Sequence, residues 1–131
     1  MAMKPAKSCI DIGIIVQDIG RSLAFYEGLL GLHKIGETPL PFGRMHRLAF
    51  GDSFVKLIDP KTVPPAGAIG LPKALGFRYL TFTVGNIEEV CATCEKAGVP
   101  FEIPRHELMP GVTIAMVRDP DGNVVEFVQR R

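Results

Sequence analysis

Three features of this chain predict an α+β fold built from two tandem βαβββ modules. The chain repeats itself: Asp11-Ile-Gly-Ile-Ile-Val16-Gln-Asp18-Ile19 aligns with Tyr79-Leu-Thr-Phe-Thr-Val84-Gly-Asn86-Ile87, and Asp52-Ser-Phe-Val-Lys56-Leu57 aligns with Gly122-Asn-Val-Val-Glu126-Phe127. Each copy runs from a strand-like stretch, through a helix cap, into an amphipathic helix that ends in glycine, Gly31 or Gly98. The strand-like stretches alternate in character, so each sheet has one face suited to its helix and one that is more polar.

Residues 9–16 read as the first strand, and Asp18 as an N-cap whose carboxylate accepts from the amides of the first turn. Ile19, Leu23, Tyr26, Leu29 and Leu30 follow helical spacing, and Gly31 closes the helix. Residues 32–38 and 44–50 read as strands, with Pro39 and Pro41 breaking between them. Gly51-Asp52 suits a type II′ hairpin, which needs glycine first. The next strand covers about 53–59.

Residues 60–75 contain Pro60, Pro64, Pro65, Gly67, Gly70 and Pro72 and read as a linker between modules 9–59 and 76–129 of one 1–131 domain. In the second copy Tyr79, Thr81 and Thr83 alternate with Leu80, Phe82 and Val84. Asn86 reads as a cap, with Glu89 completing a capping-box-like pattern. Ile87, Val90, Cys91 and Cys94 form the buried stripe. Strands near 100–103, 112–118 and 123–129 follow, and Asp119-Pro-Asp-Gly-Asn123 reads as a tight turn. The segment 104–110 reads as a loop.

The composition is that of a soluble globular protein, with 47% hydrophobic and 22% charged residues. A net charge of +1 argues against a nucleic-acid footprint. No apolar run approaches the ~20 residues of a membrane span. The first residues lack the apolar core of a signal peptide, so a cytoplasmic location is expected. Cys91 and Cys94 form a C-x-x-C inside a helix, where burial is the expected role.

Alternation also sorts the faces. Ile12, Ile14, Val16, Val55 and Leu57 are expected against the first helix. Asp11, Phe54, Lys56 and Arg47 then share the opposite face, Arg47 by its hairpin register with Lys56. In the second copy Tyr79, Thr81 and Glu126 take that face. If the two sheets curve side by side, it becomes the inside of a cup.

Val16-Gln-Asp18-Ile-Gly-Arg-Ser22-Leu-Ala-Phe25-Tyr26, Leu30-Gly31-Leu32, Phe82-Thr-Val84-Gly-Asn86-Ile87 and Asp119-Pro-Asp-Gly122-Asn-Val-Val-Glu126 carry a resemblance. Across about residues 9–129 the chain resembles the vicinal oxygen chelate superfamily. That superfamily includes glyoxalase I, methylmalonyl-CoA epimerase, extradiol dioxygenases, and fosfomycin- and bleomycin-resistance proteins. The resemblance implies a small-molecule cup and a homodimer. It also implies four metal-ligand positions, usually His, Glu or Gln, His and Glu, which fall here on Asp11, Lys56, Tyr79 and Glu126. Only Glu126 is a usual choice. Lysine must lose a proton before it can ligate, so a divalent metal is disfavoured and no cofactor is expected.

Two functional readings lead, with a metal-dependent glyoxalase or dioxygenase of unusual ligand set and a non-enzymatic partner-binding role as further alternatives. In one, Lys56 replaces the ion in a cluster with Asp11 and Glu126, and the cup binds a ligand without transforming it, as bleomycin-resistance proteins do. In the other, the site is a metal-independent isomerase, epimerase or lyase acting on a carbonyl or carboxylate compound. Glu126 is then the base, Lys56 stabilises an enolate, Tyr79 donates a proton, and Asp11 holds Lys56 in place. Arg47, Phe54, Thr81 and His106 are the candidate ligand contacts. Arg47 opposite Lys56 needs neutralising, since like charges across a ladder repel; Asp11 and Glu126, with or without an anionic ligand, are the candidates, and an Arg47 that reaches solvent at the strand end is the alternative.

Overall fold

The computed structural model describes all of residues 1–131. The chain divides into two compact units, Met1–Pro64 and Pro65–Arg131. The boundary falls within the proline-rich stretch.

The first unit holds β1 (Ile12–Ile15), α1 (Ile19–Leu23), β2 (His33–Leu40), β3 (Gly43–Phe50) and β4 (Ser53–Pro60). The sheet order is β1-β4-β3-β2. β1 pairs with β4 in parallel, and the other pairs are antiparallel. The Asp18 carboxylate accepts from the Arg21 amide at 3.1 Å, so the expected cap forms. After Leu23 the helix widens into a π-helical stretch, Ala24–Leu29. There the Leu30 amide reaches back five residues to the Phe25 carbonyl. Phe25 and Tyr26 lie buried on this stretch, with rings edge to face at 4.8 Å. They join Val16, Leu48, Val55 and Leu57 in the core.

The hairpin behaves as its glycine requires. Gly51 has φ +56° and no non-glycine residue has positive φ, which fits type II′. Its register pairs Phe50 with Ser53 and Arg47 with Lys56. Pro39 does not break β2. It lies within the strand, opposite Arg44. β2 is a sheet edge, and an edge tolerates the missing donor.

The second unit holds β5 (Tyr79–Thr83), α2 (Ile87–Lys96), β6 (Phe101–Met109), β7 (Val112–Arg118) and β8 (Val124–Arg130), in sheet order β5-β8-β7-β6. β5 and β8 are the parallel pair. Ile87, Cys91 and Cys94 of α2 are buried, and the helix packs on β7 and β8. Phe127 is buried with its ring stacked 6.4 Å from Phe82. Burying a side chain of that size contributes about 1.5–3 kcal/mol.

Two expectations for this unit are corrected. Segment 104–110 is not a loop: its residues to Met109 form the outer half of β6. This part of β6 holds Pro104, which an edge strand tolerates, and β6 is an edge of its sheet. Asn86 does not cap α2 with its side chain. Its amide group instead bonds Glu89 at 3.1 Å, and the Ile87 amide donates to Gln129 Oε1 at 2.8 Å. The cap thus comes from β8, 42 residues away in sequence.

The stretch before β5 is anchored to its own unit. The Arg78 guanidinium donates to the carbonyls of Ala68, Gly70 and Leu71. The Leu71 amide donates to Glu102, whose carboxylate also holds Arg118 at 2.6 and 2.7 Å. The Arg118 hydrogen bond, then the Leu71 amide, keeps the Glu102 carboxyl below its usual range. Ile69 packs over Gly122, which has φ +87°. The Asp119 carboxylate closes the following turn by accepting from the amides of Asp121 and Asn123.

His46 is 7% exposed, and neither ring nitrogen has a hydrogen-bond partner. Burial pushes its pKa below the usual 6.5, and Lys34 adds to the effect. The Glu37 and Asp59 carboxylates oppose the shift, and Arg44 reinforces it. Glu37 stands 3.9 Å from Nδ1 but is already held by Lys34 at 2.9 Å. The unfolded chain therefore takes up this proton first. Stability is complete above about pH 6.5 and falls as pH drops from there through the folded-state pKa. Urea midpoints of the protein should decline over that range, and those of His46→Leu should not; matching slopes would refute the assignment. Gln129→Ala should lower stability by about 1 kcal/mol and Asn86→Ala by less, read from thermal unfolding. The reverse order would remove the β8 cap from the account.

Candidate functional site

The repeat places equivalent residues at equivalent registers. Gly13 pairs with Lys56 in the first unit, and Thr81 pairs with Glu126 in the second. Lys56 and Glu126 thus occupy the same strand position of their own modules, on the face opposite the buried Leu57 and Phe127.

In the first unit the structure adds a residue that sequence reasoning missed. Lys7 Nζ bonds Asp11 Oδ1 at 2.8 Å and the Asp52 carbonyl at 3.2 Å. The same carboxylate oxygen accepts from the Phe54 amide at 2.8 Å. Asp11 is therefore engaged by Lys7 and does not hold Lys56 in place. The Lys7 hydrogen bond and then the Phe54 amide keep its pKa below the ordinary carboxylate value; desolvation opposes them, and the charges of Lys7 and Lys56 add smaller lowering effects. No periodicity marks Lys7, because it precedes the first strand.

Arg47 and Lys56 face one another across β3 and β4, both half-buried. Neither forms an ion pair within the first unit, so the expected bond from Lys56 to Asp11 is absent. Phe54 lies against two cations, Lys7 Nζ at 4.4 Å and Arg47 Cζ at 5.6 Å from its ring centre. This face of one sheet therefore carries three cations, one engaged carboxylate and one aromatic ring.

In the second unit Thr81 Oγ1 donates to Glu126 Oε1 at 2.8 Å. Thr81, not Tyr79, is the register partner of Glu126; Tyr79 pairs with Val124 and is 55% exposed. His106 is exposed on β6, with Nδ1 2.9 Å from the Pro104 carbonyl. A cleft of about 330 Å³ opens in the first unit, lined by Ile15, Phe42, Pro60, Lys61, Thr62 and Pro64. It lies at the far end of β1 from Asp11, and none of the candidate residues lines it.

The profile of the Glyoxalase/Bleomycin resistance protein/Dioxygenase superfamily matches residues 10–127. The chain belongs to this superfamily. The Bacillus subtilis (strain 168) superfamily relative YwkD, an uncharacterized protein, is 29% identical over 125 residues, covering 95% of this chain and 98% of that one. TnmS3, an antibiotic binding protein from Streptomyces sp. CB03234, has 26% identity and a TM-score of 0.72, with 98% and 100% of the two chains covered. Lactoylglutathione lyase from Agrobacterium tumefaciens has 25% identity and a TM-score of 0.69, with 96% of each chain covered.

The superfamily's metal does not fit the first unit's donor set. The aligned positions there offer Asp11, just before β1, and Lys56 on β4. Asp11 Oδ1 is already engaged by an ammonium and an amide, and Lys56 and Lys7 would both repel a dication. In the second unit Glu126 is a suitable oxygen donor and Tyr79 a poor one. Burial raises the thiol pKa of Cys91, and burial followed by the Cys91 charge pushes Cys94 up to about 11. Buried neutral thiols of this kind are packing residues.

Proposed function

We propose that this glyoxalase-like protein binds a small anionic compound, with the Arg47–Lys56 face of the first unit as the anion contact. One observation carries the reading. Two half-buried cations stand directly opposite one another, and the carboxylate beside them is engaged by a third. Like charges at such a pair destabilise a sheet by roughly the few tenths to 1 kcal/mol that opposite charges contribute. An anion bound between them reverses the sign. Arg47 suits a carboxylate because its planar fork bonds both oxygens, and Phe54 supplies apolar surface beside it. The likeness to an antibiotic binding protein and to a lactoylglutathione lyase supports a small-molecule ligand.

Titration with propionate, followed by amide shifts in NMR spectra, tests this. Shifts should centre on Phe54, Lys56 and Arg47. Lys56→Gln should weaken binding roughly tenfold, the loss of one charge-assisted contact. Shifts absent from these residues would overturn the reading.

Catalysis is a second reading, favoured by the Thr81–Glu126 bond. That bond fixes Oε1 and leaves Oε2 without a hydrogen bond, as suits a carboxylate that takes a proton next to a carbonyl. Tyr79, two residues before Thr81 on the same face of β5, is the proton donor in this reading. Proton exchange of the pyruvate methyl group in D2O should be faster with the protein than with Glu126→Gln by roughly 100-fold. Equal rates would leave binding without chemistry.

A further inference from the structure

We propose that the bound anion carries two negative charges, and that Lys7 is the residue that selects for the second. The inference rests on the anion-binding reading above and adds the ligand class to it. The charges on this face are Lys7, Arg47 and Lys56 against Asp11 alone, an excess of two positive charges. Asp52 contributes its carbonyl, not its carboxylate, to Lys7.

The donors point the same way. An ammonium has three N–H groups. Two of those on Lys7 are committed, to Asp11 Oδ1 and to the Asp52 carbonyl, which leaves one. The Lys7 side chain is 40% exposed, so that donor is open to a ligand. Arg47 and Lys56 keep all of theirs for the first charge. Phe54 touches both Lys7 and Arg47, so the two charge-binding points flank one apolar ring. Asp11 acts as a positioning residue. It holds the long Lys7 chain in place, which lowers the entropy lost when a ligand binds. A monoanion leaves one excess charge on the face; a dicarboxylate or a phosphomonoester cancels both.

The test compares succinate, methyl phosphate and propionate on the full chain by calorimetry, at one fixed ionic strength because exposed charges are screened by salt. At least one dianion should bind roughly tenfold more tightly than propionate. The tighter of the two identifies a carboxylate or phosphate as the second group. Lys7→Gln should bring dianion and propionate affinities within about twofold, and Lys7→Arg should restore the gap. Lys7 lies outside the sheet core, and an unchanged circular dichroism spectrum confirms folding of both variants. Propionate binding with no dianion preference, or a preference that survives Lys7→Gln, overturns the selection by Lys7 and leaves anion binding intact. Failure of all three probes to bind overturns the anion reading and this inference with it.

Discussion

Each module depends on one parallel pairing. In the first, Ile12 lies against Val55 and Gly13 against Lys56; in the second, Leu80 lies against Val125 and Thr81 against Glu126. Because side chains alternate along a strand, that register determines what each helix covers. A slip of one residue would send Leu57 or Phe127 outward and Lys56 or Glu126 into the core. Burying either charge without a partner is far more costly than losing an apolar contact. The register is therefore guarded on both faces at once, and both copies share it.

The polar face follows from this register, but its electrostatics differ between the modules. Lys56 and Glu126 occupy equivalent positions with opposite charge. In the first unit Lys56 has Arg47 across the ladder, so the face is cationic. In the second, Glu126 has a threonine hydroxyl beside it. Duplication conserved the geometry while the chemistry diverged, which fits a superfamily whose fold hosts many activities.

Much of the fold was legible because period-two and helical patterns are local. β7 was read at its observed bounds, 112–118, the hairpin register at Gly51 holds, and Asp18 caps its helix. The misreadings share a cause. Pro39 looked like a break and 104–110, with its Pro104, like a loop, but whether a strand tolerates proline depends on whether it is an edge, and that is a property of the sheet. Asn86 looked like a cap because capping signals are local, whereas the acceptor is Gln129 on a distant strand.

The candidate site divides the same way. By itself the sequence determined which strand residues share a face: Phe54, Lys56 and Arg47 in one module, Tyr79, Thr81 and Glu126 in the other. Alternation suffices for that. Only the tertiary structure decided which charges meet. Lys7 lies only four residues before Asp11, in a segment without periodicity, and the fold fixes it there by bringing the Asp52 carbonyl, 45 residues away, against its ammonium. Its contact with Asp11 removes the carboxylate expected to serve Lys56, because an ion pair forms with whichever charge the fold brings nearest.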